Sequence, residues 1–157
     1  MSPPYNKLCK IRIIAVDDSP DNLSLIEIIF DDPKYDLELA GSGREALAKI
    51  DQKIPDLILL DVMMPDMDGI EVTRRIRQNE DLPYVPILLI TAHDRFNAKD
   101  GFDAGVDGLI RKPFDIDELQ DRVATLTQGK RKHEYSNIPD LPSAWSQFYP
   151  TFLEFDR

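Results

Sequence analysis

A single cysteine, Cys9, in 157 residues excludes an internal disulfide and any metal site built from several thiolates. Long apolar runs are also missing. None approaches the roughly 18–20 residues that span a bilayer, so no membrane segment is expected. The N-terminus, Met1-Ser2-Pro3-Pro4-Tyr5-Asn6-Lys7, lacks the charged-then-apolar layout of a secretory signal, which makes a cytoplasmic location the expectation. Basic residues are in deficit: 19 Lys and Arg face 29 Asp and Glu, for a formal net charge of −10. Binding to nucleic acid is driven by Lys and Arg neutralising phosphates, so no direct nucleic-acid partner is expected. The deficit is uneven. Residues 129–157 hold four basic residues (Lys130, Arg131, Lys132, Arg157) and four acidic ones (Glu134, Asp140, Glu154, Asp156), so the whole net charge lies in residues 1–128.

What the chain does have is a run from Leu57 to Leu60 that ends in Asp61 and passes into Val62-Met63-Met64-Pro65-Asp66-Met67-Asp68-Gly69. Four apolar residues bounded by turn signals fit a strand covered on both faces, the pattern of a central strand in a parallel sheet. Sites in open parallel sheets lie outside the carboxyl ends of the strands, which is where Asp61 falls. Taken alone, Asp61 is as readily a turn or capping residue as a chemical one.

The rest of the chain decides between them. Residues 1–9 read as a Pro-bearing arm. Ile11–Val16 reads as a first strand ending at Asp17-Asp18, after which Ser19 and Pro20 open a helix carrying Leu23, Ile26, Ile29 and Phe30. Asp32-Pro33 breaks it, and Tyr35–Ala40 alternates as an edge strand does. Ser42 with Glu45 forms a capping-box pattern for a second helix with Ala46, Leu47 and Ile50. After the strand at Asp61, a third helix runs through Ile70, Val72 and Ile76. A buried strand follows from Val85 to Ile90 and ends at Thr91-Ala92-His93. A weak fourth helix spans 98–105 with Gly101 inside it, at a cost of about 1 kcal/mol relative to Ala. Gly108–Arg111 reads as a fifth strand ending at Lys112-Pro113-Phe114. Asp115 then caps a last helix, with Gly129 as its natural stop.

Five strands alternating with five helices imply an α/β fold. The expectation is a five-stranded parallel sheet of order 2-1-3-4-5, doubly wound and flavodoxin-like, over residues 10–128, with a short extension over 129–157. In that order strands 1 and 3 flank the switch point, so Asp17, Asp18 and Asp61 should converge there. Three carboxylates at one edge repel one another unless compensated. A divalent cation with oxygen ligands, Mg²⁺ above all, and the ammonium of Lys112 are the available remedies, and Thr91 adds a hydroxyl. A carboxylate nucleophile attacking a phosphoryl group needs these parts.

From Lys10 to Gln128 the chain resembles the receiver domain of two-component response regulators. The resemblance rests on Asp17-Asp18, on Asp61 with Val62-Met63-Met64-Pro65-Asp66-Met67-Asp68-Gly69, on Thr91-Ala92, and on Lys112-Pro113-Phe114. It implies that Asp61 accepts phosphate from a phosphohistidine on a sensor histidine kinase. It implies that Asp17, Asp18, Asp61 and the backbone carbonyl of Met63 hold Mg²⁺, that Thr91 and Lys112 bind the phosphoryl oxygens, and that the Lys112-Pro113 bond is cis. The chain departs from the pattern at Leu109, where the family commonly carries Tyr or Phe as an aromatic readout; switching is then expected to run through Thr91 and the fourth helix. Met63 and His93 occupy the positions that such proteins use to control water access to the phosphate.

Outside the resemblance, Ile138, Leu141, Trp145, Phe148, Phe152 and Phe155 recur every three or four residues, while Pro139, Pro142 and Pro150 forbid one long helix. This extension reads as a strap on the protein's own surface or as a docking or dimerising segment. The output expected is contact with a downstream protein or self-association. Two other readings stay open: a receiver fragment of a larger hybrid kinase or multidomain regulator, and a carboxylate-nucleophile phosphatase. The second is disfavoured because such enzymes need an aspartate two residues after the nucleophile, where this chain has Met63.

Overall fold

The structure, a computed structural model, describes residues 10–92 and 94–135, with side chains as far as residue 128. The expectations for residues 1–9, His93 and the aromatic segment beyond Tyr135 lie outside the described residues.

β1 (Ile11–Val16) leads into α1 (Pro20–Ile29), β2 (Tyr35–Ala40) into α2 (Gly43–Gln52), and β3 (Leu57–Asp61) into α3 (Gly69–Gln78). β4 (Ile87–Thr91) is followed by α4 (Ala98–Ala104), and β5 (Gly108–Arg111) by α5 (Ile116–Tyr135). All four strand pairings are parallel and the sheet order is β2-β1-β3-β4-β5. β3 and β4 are buried along their whole length, because both faces of the sheet are covered. Successive residues serve opposite cores. Ile58, Leu60, Ile87 and Leu89 pack with Val72 and Ile76 of α3, whereas Leu57, Leu59, Leu88 and Ile90 pack with Ile26 of α1 and with Leu119 and Val123 of α5.

Local chemistry sets the ends. Ser19 caps α1 and Pro20 occupies its first turn, where the missing N–H costs nothing. At α2 the Ser42 hydroxyl accepts from the Glu45 N–H at 3.1 Å, but the Glu45 carboxylate accepts from the Gly41 N–H at 2.9 Å. The capping box is therefore displaced by one residue. β2 is an edge strand in which Tyr35, Leu37 and Leu39 turn toward the α1–α5 core, while Asp36 and Glu38 on its other face pair with Arg12.

Two elements differ from the sequence reading. β4 begins at Ile87, not Val85: Pro86 has no N–H for the ladder, and the Val85 carbonyl accepts from Arg77 at 2.7 Å. α5 runs through Gly129 to Tyr135. A single glycine costs only about 1 kcal/mol, and the Lys-Arg-Lys-His-Glu stretch after it is made mostly of good helix formers. The chain divides into two units, residues 1–127 and 128–157.

Arg77, near the end of α3, clamps the side of the sheet farthest from β2. Its guanidinium donates to the Gly105 carbonyl at 2.9 Å, to the Val85 carbonyl at 2.7 Å and to Asp107 at 2.9 Å, and it lies 4.6 Å from the Tyr84 ring centre. Asp107 also accepts from the Ile87 N–H at 2.8 Å, so one ion pair ties α3, the start of β4 and the α4–β5 turn. Arg77→Ala is expected to cost about 2–3 kcal/mol in chemical unfolding, since it leaves Asp107 half-paired and two carbonyls without a donor. Arg77→Lys should recover little of this, because an ammonium cannot serve three divergent acceptors.

Candidate functional site

Parallel register brings the site together. Val16 pairs with Leu60, so the next residues, Asp17 and Asp61, emerge side by side from β1 and β3. Asp61 pairs with Ile90 and Thr91 with Arg111, which puts Thr91 and then Lys112 on the same edge of the sheet. The Lys112 N–H donates to the Thr91 carbonyl at 2.8 Å, and the Lys112-Pro113 peptide is cis.

Asp17, Asp18 and Asp61 each offer a carboxylate oxygen within 4.8 Å of the others. Asp17 is 3 % exposed, Asp61 8 % and Thr91 1 %, while Asp18 faces solvent. Asp17 is held on both oxygens: Oδ1 accepts from the Ser19 N–H at 2.9 Å, and Oδ2 accepts from Asn22 Nδ2 and Lys112 Nζ, each at 3.1 Å. Lys112 therefore rests on Asp17 and acts on Asp61 through space. Burial pushes the Asp61 carboxyl up from 3.8 to about 6, aided by the charge of Asp17 and, less, of Asp18; Lys112 and the Met63 N–H pull the other way.

The loop after Asp61 is anchored rather than free. Met64 and Met67 are buried in the core under α3, and Met63 between them and Asp61 is 57 % exposed. Asp66 adopts the left-handed conformation, φ 65°, that aspartate tolerates better than most residues. The Gly69 N–H then donates to the Val62 carbonyl at 2.9 Å, and Asp68 caps α3 by accepting from the Glu71 N–H at 2.8 Å. A Cβ on Gly69 would lie 2.3 Å from the Asp61 carbonyl oxygen. The Gly of this motif is thus a requirement of close approach between α3 and the end of β3.

All the residues singled out in the sequence for this edge and described in the structure lie there: Asp17, Asp18, Asp61, Met63, Thr91 and Lys112. Leu109 is partly buried against the core on the α3 side. Sequence reasoning missed Asn22. The usable signal was its place in the first turn of α1, because helical side chains lean toward the N-terminus and so back toward the strand tip.

Carboxylates and a lysine gathered at the switch point of a doubly wound parallel sheet define a class of phosphoacceptor modules, and the comparisons name it. The chain belongs to the response regulator receiver domain family, whose model matches residues 13–124. It is 38 % identical over 117 residues to the transcriptional regulatory protein TrcR of Mycobacterium tuberculosis, covering 74 % of this chain and 45 % of that one. It is 36 % identical over 131 residues to the response regulator ArlR of Staphylococcus saprophyticus, covering 83 % and 57 %. Among solved structures, the chemotaxis protein CheY4 of Vibrio cholerae superposes with a TM-score of 0.69 at 32 % identity, covering 74 % of this chain and 98 % of that one. The receiver domain of a Francisella response regulator gives a TM-score of 0.70 at 31 % identity, covering 77 % and 99 %. The chain spans about half the length of the curated relatives it matches. It is a two-component signalling module of a family that interacts with histidine kinases and typically binds Mg²⁺ at an acidic pocket. Among the described residues, no helix is long and apolar enough to cross a membrane.

Proposed function

We propose that Asp61 is the phosphoacceptor of a cytoplasmic response regulator that takes phosphate from a sensor histidine kinase and signals by altered protein contact. The observation that carries this is the convergence of Asp17, Asp18 and Asp61 within 4.8 Å beside Lys112. The phosphoryl group leaves a phosphohistidine nitrogen as the N–P bond breaks and joins an Asp61 carboxylate oxygen as the new O–P bond forms. Lys112 and the Thr91 hydroxyl receive the phosphoryl oxygens. Asp17, Asp18, Asp61 and the Met63 carbonyl are the residues that would hold Mg²⁺, whose charge offsets that of the transferring oxygens. Hard carboxylate oxygens, one of them exposed and two buried, suit that cation.

Residues 10–128 serve as the receiver and 129–157 as an aromatic-rich extension, either a strap on the protein's own surface or a docking or dimerising segment. With a net charge of −10, the downstream partner is a protein or a second copy and not nucleic acid. Because the chain spans about half of its curated relatives, the same module would also serve as the receiver of a longer regulator or hybrid kinase. On this reading the module catalyses its own phosphorylation and dephosphorylation, and Met63 disfavours a carboxylate-nucleophile phosphatase, because it stands where such an enzyme needs its acid.

Phosphorylation shifts a conformational equilibrium only by the difference in its contacts with the two states. Lys112→Ala and Thr91→Ala should therefore weaken the size or shape change that acetyl phosphate and Mg²⁺ induce, read by size-exclusion chromatography with intact mass, more than they lower the urea midpoint. A normal response from Lys112→Ala would defeat the role assigned to that lysine.

A further inference from the structure

Asp17 is buried, so its carboxylate has little water to orient it. Its geometry is set by three donors, the Ser19 N–H on Oδ1 and the Asn22 amide and Lys112 ammonium on Oδ2. One of these has another duty, since Lys112 is the charge assigned to the phosphoryl oxygens. When the phosphoryl group draws Lys112 away, the Ser19 N–H still holds Oδ1, and the Asn22 side chain, half-buried in the first turn of α1, is the donor left on Oδ2. A carboxylate accepts only from a donor, so the Asn22 amide must present its nitrogen.

We propose that Asn22 is a positioning residue of the acidic pocket: its amide fixes the carboxylate plane of Asp17 and so sets the affinity for a divalent cation. The inference rests on the reading of Asp17, Asp18 and Asp61 as the cation's carboxylates. Neutral donors behind a ligating carboxylate orient it without adding charge, and their loss typically weakens metal binding by about 10–100-fold. Asn22 supplies such a donor from the element that follows β1, so α1 and the pocket are joined by a contact that the cap of the helix does not need. The cap runs through the Ser19 hydroxyl and the Asn22 backbone N–H, and leaves the Asn22 side chain out.

The test is calorimetric titration of the full chain with Mg²⁺ for wild type, Asn22→Ala and Asn22→Leu, each with melting curves with and without the cation. Asn22→Ala should bind Mg²⁺ about tenfold more weakly. Asn22→Leu keeps a branched side chain at the start of α1 but cannot donate and adds no charge, and it should lose about as much affinity. A residue that merely fills space at the start of α1 would leave Asn22→Leu with the wild-type Mg²⁺ affinity, and that result overturns the proposal. So does wild-type affinity in Asn22→Ala. Should Asn22→Ala fail to fold, the loss in Asn22→Leu still decides. Phosphorylation of wild type by acetyl phosphate is read in parallel. Affinities that fall as described, with no adduct on Asp61, sustain the positioning role and refute the phosphoacceptor reading alone.

Discussion

Asp61→Asn should be more stable than wild type at neutral pH while being unable to accept phosphate. Burial and the neighbouring Asp17 and Asp18 charges raise the Asp61 carboxyl from 3.8 to about 6 in the folded state. The folded chain thus binds a proton at this position more readily than the unfolded chain does, and stability from this group falls as pH rises from below 4 to above 6. At pH 7 the ionised carboxylate costs at most about 3 kcal/mol. Partial solvation at the pocket mouth brings the expected gain for Asp61→Asn to about 1–2 kcal/mol. Asparagine matches the protonated carboxyl in shape, so the gain should shrink to nothing below about pH 4. Urea unfolding of both proteins across that range reads the difference directly. Saturating Mg²⁺ should narrow the gap at pH 7 from the wild-type side, because a ligand stabilises the state that binds it. An Asp61→Asn variant no more stable than wild type at pH 7 would mean that neither burial nor the neighbouring carboxylates penalise the ionised Asp61 in the folded protein.

The second large effect is expected at Gly69. An alanine there would place its Cβ 2.3 Å from the Asp61 carbonyl oxygen and 3.0 Å from the Val62 Cα. Both are backbone atoms of the strand end and its loop, so no side chain can rotate away to make room. Either α3 moves off the sheet, opening the core around Ile70 and Val72, or the end of β3 is displaced along with Asp61. Gly69→Ala should cost more than about 3 kcal/mol. It should also lower the rate of phosphorylation in any fraction that folds, because a small misplacement of the reacting group is costly. Gly41, where a new Cβ meets only the Glu45 carboxylate at 3.5 Å, is the control: Gly41→Ala should change stability by less than about 1 kcal/mol.

These two residues also mark what was legible in the sequence. Asp61 could be read because β3 and β4 are central strands, and burial on both faces writes itself as the unbroken runs Leu57–Leu60 and Ile87–Ile90. Once five strands alternate with helices, handedness and switch-point geometry bring Asp17, Asp18, Asp61, Thr91 and Lys112 to one edge with no further input. Gly69 was legible as a loop end but not as a contact, since the 2.3 Å approach depends on where α3 docks. The clamp at Arg77 was silent for the same reason: its partners at Val85, Gly105 and Asp107 lie 8, 28 and 30 residues along the chain. The end of α5 was misplaced because Gly129 signals a stop only when weak helix formers follow it, and here Lys130-Arg131-Lys132 follow.

The central claim is that one carboxylate, Asp61, takes the phosphoryl group. Incubation with Mg²⁺ and acetyl phosphate, followed by borohydride reduction and peptide mass mapping, tests it most directly, because an aspartyl phosphate is reduced to homoserine at the modified position. Homoserine at position 61, absent without Mg²⁺ and absent from Asp61→Asn, is the predicted result. An unmodified chain, or homoserine at position 17 or 18 with Asp61 intact, would contradict it.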